Sequence, residues 1–173
     1  WSPPAWMKTN SSLVGGSLID DSRIYRAYAL YFVKFIQGYE DAGVLVDAVT
    51  VQNEPQNRNP NAYPGMYMSA EQQAAFIKVL GPALRNADLN TKILAYDHNL
   101  SMHPGDIAST PPRQIPETEY PTLVLSDAEA SRWISGVAYH CYYGEPSRQS
   151  TLHAMFPNKA ILFTECSGSH GPN

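Results

Sequence analysis

Charge is scarce in this chain, and so are cysteine and long apolar runs: only 16% of its 173 residues are Asp, Glu, Lys or Arg, and only 2 are cysteine. Low charge beside 43% hydrophobic residues argues against a solvated disordered segment and for one folded core. The 12 Lys and Arg are spread along the chain against 16 Asp and Glu, for a net charge of −4. With no basic stripe to meet a phosphate backbone, nucleic acid is not an expected partner. No apolar run approaches the roughly 18 residues of a membrane span, so no transmembrane segment is expected. The chain begins at Trp1 without an initiator methionine or signal peptide and reads as an excised piece. Ser167, Ser169 and His170 stand near Glu165, but no Gly-x-Ser-x-Gly elbow supports a serine hydrolase. His98, His103 and Asp106 lack any metal-site spacing, and neither a metal nor an organic cofactor is expected.

Two stretches carry the chemistry. Ala48-Val-Thr-Val-Gln-Asn-Glu-Pro55 couples β-branched strand residues to an abrupt polar end at Asn53 and Glu54, before a proline that cannot extend a ladder. Lys159-Ala-Ile-Leu-Phe-Thr-Glu-Cys-Ser-Gly168 is a second short apolar run, closing on Glu165. Counting by two puts Ile161, Phe163 and Glu165 on one face and Leu162, Thr164 and Cys166 on the other. Two strands that end in glutamate suit glycosidic cleavage, which needs one proton donor and one nucleophile or base. Either glutamate alone reads equally well as a strand-end or helix-cap salt bridge, whereas the two together in ordered context favour chemistry. His140 and Tyr142 share a face two residues apart, although a single histidine of this kind is also an ordinary core residue.

In order, Trp1 to Lys8 reads as a proline-rich rim loop. Asp20 and Asp21 cap a helix running to about Tyr39, with Ile24, Tyr28, Tyr31, Phe32, Phe35, Ile36 and Tyr39 on its apolar stripe. Val44 to Asn53 is a strand, and Gln56 to Met68 a long loop. Ser69 opens a helix that Gly81-Pro82 interrupts. Lys92 to Tyr96 is a strand ending in Asp97, His98 and Asn99, where Asp97 either braces loops or meets substrate. Met102 to Pro121, with its five prolines from Pro104 onward, is a surface loop. A short helix over Asp127–Ile134, a strand over Gly136–Tyr142, a helix over Arg148–Phe156 and a strand over Ala160–Glu165 follow. Strands alternating with helices predict an α/β parallel sheet with crossover helices. A complete eightfold barrel takes roughly 250 residues, so only part of one is present. Cys141 and Cys166 are expected first as buried thiols and second as a disulfide. Asn10-Ser11-Ser12 and Asn99-Leu100-Ser101 fit the glycosylation pattern and hint at secretion.

Trp1-Ser-Pro-Pro-Ala-Trp-Met-Lys-Thr-Asn, Thr50-Val-Gln-Asn-Glu-Pro, Tyr63-Pro-Gly-Met, Leu80-Gly-Pro, Asp97-His-Asn, Val137-Ala-Tyr-His-Cys-Tyr, Phe156-Pro-Asn-Lys and Phe163-Thr-Glu-Cys-Ser-Gly occur in that order. In these motifs the chain resembles glycoside hydrolase family 30, the glucosylceramidase and endo-β-1,6-glucanase family, almost end to end. The resemblance implies a partial (β/α)8 TIM barrel, from about the end of strand 3 through strand 7. Residues 1–173 would then be an incomplete barrel domain without the family's β-sandwich. It also implies a retaining β-glycosidase with Glu54 as acid/base and Glu165 as nucleophile. Asn53 would bind the sugar 2-hydroxyl, Trp1 would wall the sugar subsite, and His140 and Tyr142 would reach nucleophile or sugar. The implied partner is a β-glucoside, a glucan or a glycosphingolipid, met outside the cell or in a lysosome-like compartment. The rival expectation is a non-catalytic carbohydrate-binding or interaction module. The Met102–Pro121 connection is longer than the family's usual one. Asn53 and Glu54 are adjacent, so both serve one pocket only if the strand bulges or ends there.

Overall fold

The computed structural model describes residues 1–57, 63–101, 103–104 and 119–168. Among these, α1 is Ser22–Asp41, β1 Ala48–Thr50, α2 Ala70–Asn86, β2 Lys92–Asn99, α3 Tyr120–Ser126, α4 Ala128–Ser131, β3 Ile134–His140, α5 Ser147–Met155 and β4 Ala160–Glu165. The strands form one sheet in the order β1-β2-β3-β4, and every neighbouring pair is parallel. Parallel neighbours need a crossover between them, and the helices supply it. This is part of a (β/α)8 barrel.

The two faces of the sheet differ in chemistry. Ile93, Ala95, Val137, Tyr139 and Ile161 pack against the helices in one apolar core with Phe76, Ile77 and Leu80 of α2. Leu94, Asp97, Leu162, Thr164 and Glu165 face the other way and line an open cavity of about 550 Å³, which they share with Trp1 and the β1 segment and which extends past β1 to Tyr28, Tyr31, Phe32 and Phe35 of α1. Local capping sets where the helices begin. The side chains of Asp21, Ser69 and Asp127 accept from the amides of Arg23, Gln72 and Glu129 respectively, each satisfying an orphan donor of the first turn.

Several expectations need correction. Gly81-Pro82 does not interrupt α2, which continues to Asn86 with Pro82 inside it. Gly81 is buried against the Trp133 ring, where an added Cβ would collide with the indole, so close packing holds the helix through the proline. The strand expected over Val44–Asn53 forms a ladder only from Ala48 to Thr50, and Leu45 is 83% exposed. Pro121 belongs to α3, where its first-turn position demands no N–H. The rest of the proline-rich stretch, residue 102 and residues 105–118, lies outside the described residues. On α1 the apolar stripe splits. Tyr28 stacks on Phe76 with centroids 4.8 Å apart, whereas Tyr31, Phe35 and Tyr39 are exposed.

Cys141 and Cys166 form a disulfide and are not buried thiols. His140 of β3 pairs in register with Glu165 of β4, so the residues that follow them are neighbours, with Cα atoms 5.1 Å apart.

Candidate active site

The site gathers at the C-terminal ends of the strands, and two backbone irregularities aim its side chains. In β2 the register with β3 shifts between Tyr96 and His98, and both Tyr96 and Asp97 take left-handed φ values of 74° and 76°. Such angles are costly for residues with a Cβ. The bulge leaves Tyr96 in the helix-side core and turns Asp97 into the cavity. A second shift lies between Tyr139 and His140, whose β4 partners are Phe163 and Glu165. Thr164 is the extra residue, so Thr164 and Glu165 both reach the cavity. The simple alternation that grouped Glu165 with Phe163 fails for that reason.

His140 joins the groups together. Its imidazole is fully buried, with Nδ1 3.4 Å from Glu54 Oε1, and Nε2 3.2 Å from Asp97 Oδ1 and 3.7 Å from Glu165 Oε1. Burial opposes its positive charge. The bonds to Asp97 and Glu54, with the negative field of Asp97 and Glu165, outweigh burial and hold its pKa up at about 9. At neutral pH the imidazolium therefore donates from both nitrogens. Asp97 also accepts from Thr50 Oγ1 and Thr164 Oγ1, each at 2.6 Å, and thereby ties β1, β2 and β4 together. Burial pushes Asp97 up, and the His140, Thr164 and Thr50 bonds bring it below the usual carboxylate range.

Glu54 stands where β1 has ended, at φ 45°, with its amide donating to the Asp97 carbonyl at 2.9 Å. The end of the strand, with no bulge in β1, is what lets Asn53 and Glu54 share the site. Asn57 Nδ2 donates to Glu54 Oε2 at 3.0 Å. Burial raises the Glu54 pKa, but the His140 and Asn57 bonds and the nearby His98 and His140 rings carry it down to about 2. Glu165 differs in its holders. Tyr142 donates its hydroxyl to Glu165 Oε2 at 3.2 Å and lies 3.1 Å from Ser167 Oγ.

Asn53 is buried, lines the same cavity as Trp1 and Glu165, and its Oδ1 has no hydrogen-bond partner. Trp1 is 62% exposed, packs edge-on against Tyr63 with centroids 5.4 Å apart, and its carbonyl accepts from Gln52 Nε2 at 2.6 Å. Thus Glu54, Glu165, His140 and Tyr142 form one bonded cluster, with Asn53 and Trp1 beside it. Sequence reasoning missed Thr50, Thr164 and Asn57 and left Asp97 open between two roles. Only Asp97 carried a usable signal, an acid at the end of an apolar strand, like Glu54. Among the described residues, no group of three or more His, Cys, Asp and Glu could hold a metal ion.

Strand-end carboxylates around a cavity on a parallel barrel sheet are a glycosidase arrangement, and comparison with known proteins agrees. The glycosyl hydrolase family 30 TIM-barrel domain matches residues 1–172. The chain belongs to glycosyl hydrolase family 30. An endo-1,6-beta-D-glucanase of Neurospora crassa is 38% identical over 171 residues, covering 96% of this chain and 32% of the relative. The lysosomal acid glucosylceramidase of Mus musculus is 33% identical over 180 residues, covering 98% of this chain and 32% of the relative. The solved structure of the endo-beta1,6-glucanase BT3312 superimposes with a TM-score of 0.83 at 38% identity, covering 98% of this chain and 37% of that one. This family 30 chain thus spans about a third of the length of the curated relatives it matches.

Proposed function

We propose that this chain carries the catalytic carboxylates of a retaining β-glycosidase that hydrolyses β-linked glucose through a covalent glycosyl-enzyme. The observation that carries the reading is the single buried imidazole of His140, which meets both Glu54 and Glu165. A retaining enzyme holds its two carboxyl groups about 5 Å apart; Glu54 and Glu165 meet opposite nitrogens of the His140 ring, which supports their convergence on one site and does not itself set that spacing. Glu165 attacks the anomeric carbon while Glu54 protonates the departing oxygen. Glu54 then takes the proton from the incoming water. Asn53, with its unpartnered buried Oδ1, accepts from the sugar 2-hydroxyl, and Trp1 walls the subsite.

The acid role requires Glu54 to rise from its free-state pKa of about 2 once substrate is bound. Sugar over the carboxyl strengthens burial, the cause that already pushes it upward. The low free-state value favours a second reading, in which Glu54 attacks and Glu165 donates. The names of the relatives support β-1,6-glucan ahead of glucosylceramide as substrate, because the glucanase is the more similar of the two reported. The disulfide supports an oxidising setting, extracellular or lysosome-like. Among the described residues, no helix is long and apolar enough to cross a membrane.

The test is aryl β-glucoside hydrolysis by the full-length protein and by Glu165→Ala, with and without azide. The expected result is loss of turnover in the variant, restored by azide as an α-glycosyl azide. A β-azide from Glu165→Ala would instead assign Glu165 as the acid/base. Undiminished hydrolysis by the variant would end the glycosidase assignment of Glu165 altogether.

A further inference from the structure

Lys8 is a lysine in the wrong place for a charge: it is only 1% exposed, in the segment between Trp1 and α1. Its Nζ donates to Ser2 Oγ at 3.0 Å, to the Leu13 carbonyl at 2.9 Å and to the Gly65 carbonyl at 2.7 Å. All three ammonium hydrogens therefore go to neutral oxygens. Among the described residues no carboxylate pairs with it. Burial lowers its pKa to about 8, so the charge persists at neutral pH. A buried ammonium without a counter-ion is costly, and an apolar side chain of the same length would fill the space at less cost. What an apolar side chain cannot do is bind together two segments 57 positions apart.

Both segments border the candidate site. Trp1 and Ser2 line the large cavity, and Tyr63, Gly65 and Met66 line a cleft with Asn53, Glu54 and Asn57. Backbone bonds extend the junction that Lys8 makes: the Gly65 amide donates to the Leu13 carbonyl at 3.1 Å and the Tyr67 amide to the Gly16 carbonyl at 2.9 Å. On the other side the Met68 amide donates to the carbonyl of Pro55, the residue after Glu54, at 2.8 Å. Tyr63, two residues before Gly65, accepts at its hydroxyl from Asn57 Nδ2 at 3.0 Å. The same nitrogen donates to Glu54 Oε2 at 3.0 Å. The two hydrogens of the Asn57 amide are thus divided between Tyr63 and Glu54.

We propose that Lys8 is a positioning residue for Glu54: its ammonium locks the Tyr63–Met68 segment onto the Trp1–Leu18 segment, and Tyr63 and Asn57 pass that fixed position to the carboxylate. The proposal rests on the reading of Glu54 as acid/base. Lys8 acts only through these neighbours and takes no part in bond making. Its effect therefore falls on proton donation to the departing oxygen and spares the attack by Glu165. Misplacing a reacting group by about 1 Å costs up to ~100-fold in rate, so loosening this one anchor is expected to cost about tenfold where the proton is needed.

The experiment compares kcat/KM for phenyl β-glucoside and 2,4-dinitrophenyl β-glucoside in the full-length wild type, Lys8→Met, Tyr63→Phe and Glu54→Gln. In both substrates the bond from the anomeric carbon to the aryl oxygen breaks as a Glu165 oxygen attacks. Phenoxide is a poor leaving group and takes a proton from Glu54, whereas dinitrophenoxide departs with the bonding pair and needs none. Near-ultraviolet circular dichroism verifies that each variant is folded.

Lys8→Met is expected to lower kcat/KM about tenfold for the phenyl glucoside and less than about twofold for the dinitrophenyl glucoside. Tyr63→Phe removes one acceptor from Asn57 and is expected to show the same selectivity; it carries the test if Lys8→Met fails to fold. An equal loss on both substrates in a folded variant would make Lys8 a structural residue alone and overturn the proposal. Unchanged rates on both substrates overturn it as well. Glu54→Gln tests the underlying reading separately. A loss confined to the phenyl glucoside supports Glu54 as acid, whereas abolition of both hydrolyses assigns it as nucleophile and removes the basis of the proposal.

Discussion

The same four strands end in two unlike ways. At their N-terminal ends close neutral contacts, Gly81 on Trp133 and Gly136 facing the Ala160 carbonyl, are bordered by charges that are not bound to one another in a buried network: Arg85 and Arg132 lie over the Trp133 ring, and the Asp47–Lys92 pair is solvent-exposed. At their C-terminal ends the backbone is strained at Glu54, Tyr96 and Asp97, and buried charges share one imidazole. A parallel sheet packed on one face can bear that strain because the shared core holds both ends. The comparison teaches that stability and chemistry are segregated along each strand, as barrels generally arrange them.

The segregation can be broken at the polar end first. Asp97→Ala removes the acceptor of Thr50, Thr164 and His140 and leaves the imidazolium short of its main counter-charge. Breaking a buried pair from one side is expected to cost ~3–5 kcal/mol, read by urea unfolding, with glucosidase activity lost as well. A cost under ~1 kcal/mol would show that the network does not bind the strands together.

Next in size is a pH effect. The folded pKa of His140, about 9, lies above the ordinary 6.5, so its stabilisation is complete below pH 6.5 and is lost as pH rises through 9. Glu54 has the opposite sign: its folded value of about 2 lies below 4.5, so its stabilisation is present above pH 4.5 and lost as pH falls through 2. The Glu54–His140 contact contributes to both limbs and counts once. Unfolding curves between pH 6.5 and 9 are expected to lose about 3 kcal/mol in the wild type and far less in His140→Gln. A parallel decline in both proteins would assign the alkaline limb to other groups.

The smallest effect sharpens the comparison from the other end. At Gly136→Ala the new Cβ would sit 2.6 Å from the Ala160 carbonyl oxygen, a backbone atom that cannot swing away. Overpacking of this kind is expected to cost about 2 kcal/mol in unfolding while kcat/KM at low temperature stays near wild type. A large fall in kcat/KM with unchanged stability would contradict the division between the two ends.

The carboxylates were legible as a pair, because two apolar segments that each run into a glutamate are harder to explain as separate salt bridges; that β1 stops at Thr50, short of Glu54, was not legible. Helix starts were legible too: Asp21, Ser69 and Asp127 cap through bonds to amides two or three residues on. What sequence reasoning got wrong depended on partners distant in the chain. Pro82 reads locally as a break, and packing against Trp133, 51 positions on (133 minus 82), keeps the helix whole. Cys141 and Cys166 read as buried thiols first and a disulfide only second, because it is the β3–β4 register that makes them neighbours.

The sequence by itself determined the strand–helix alternation, the caps, and the two glutamates that end apolar segments, since each follows from chemistry within a few residues. The tertiary structure alone decided that two bulges would turn Asp97 and Glu165 into one cavity, and that Thr50, Thr164 and His140 would close around them. The reason is physical. A bulge forms where two strands disagree in register, and the disagreement belongs to the pair and not to either strand.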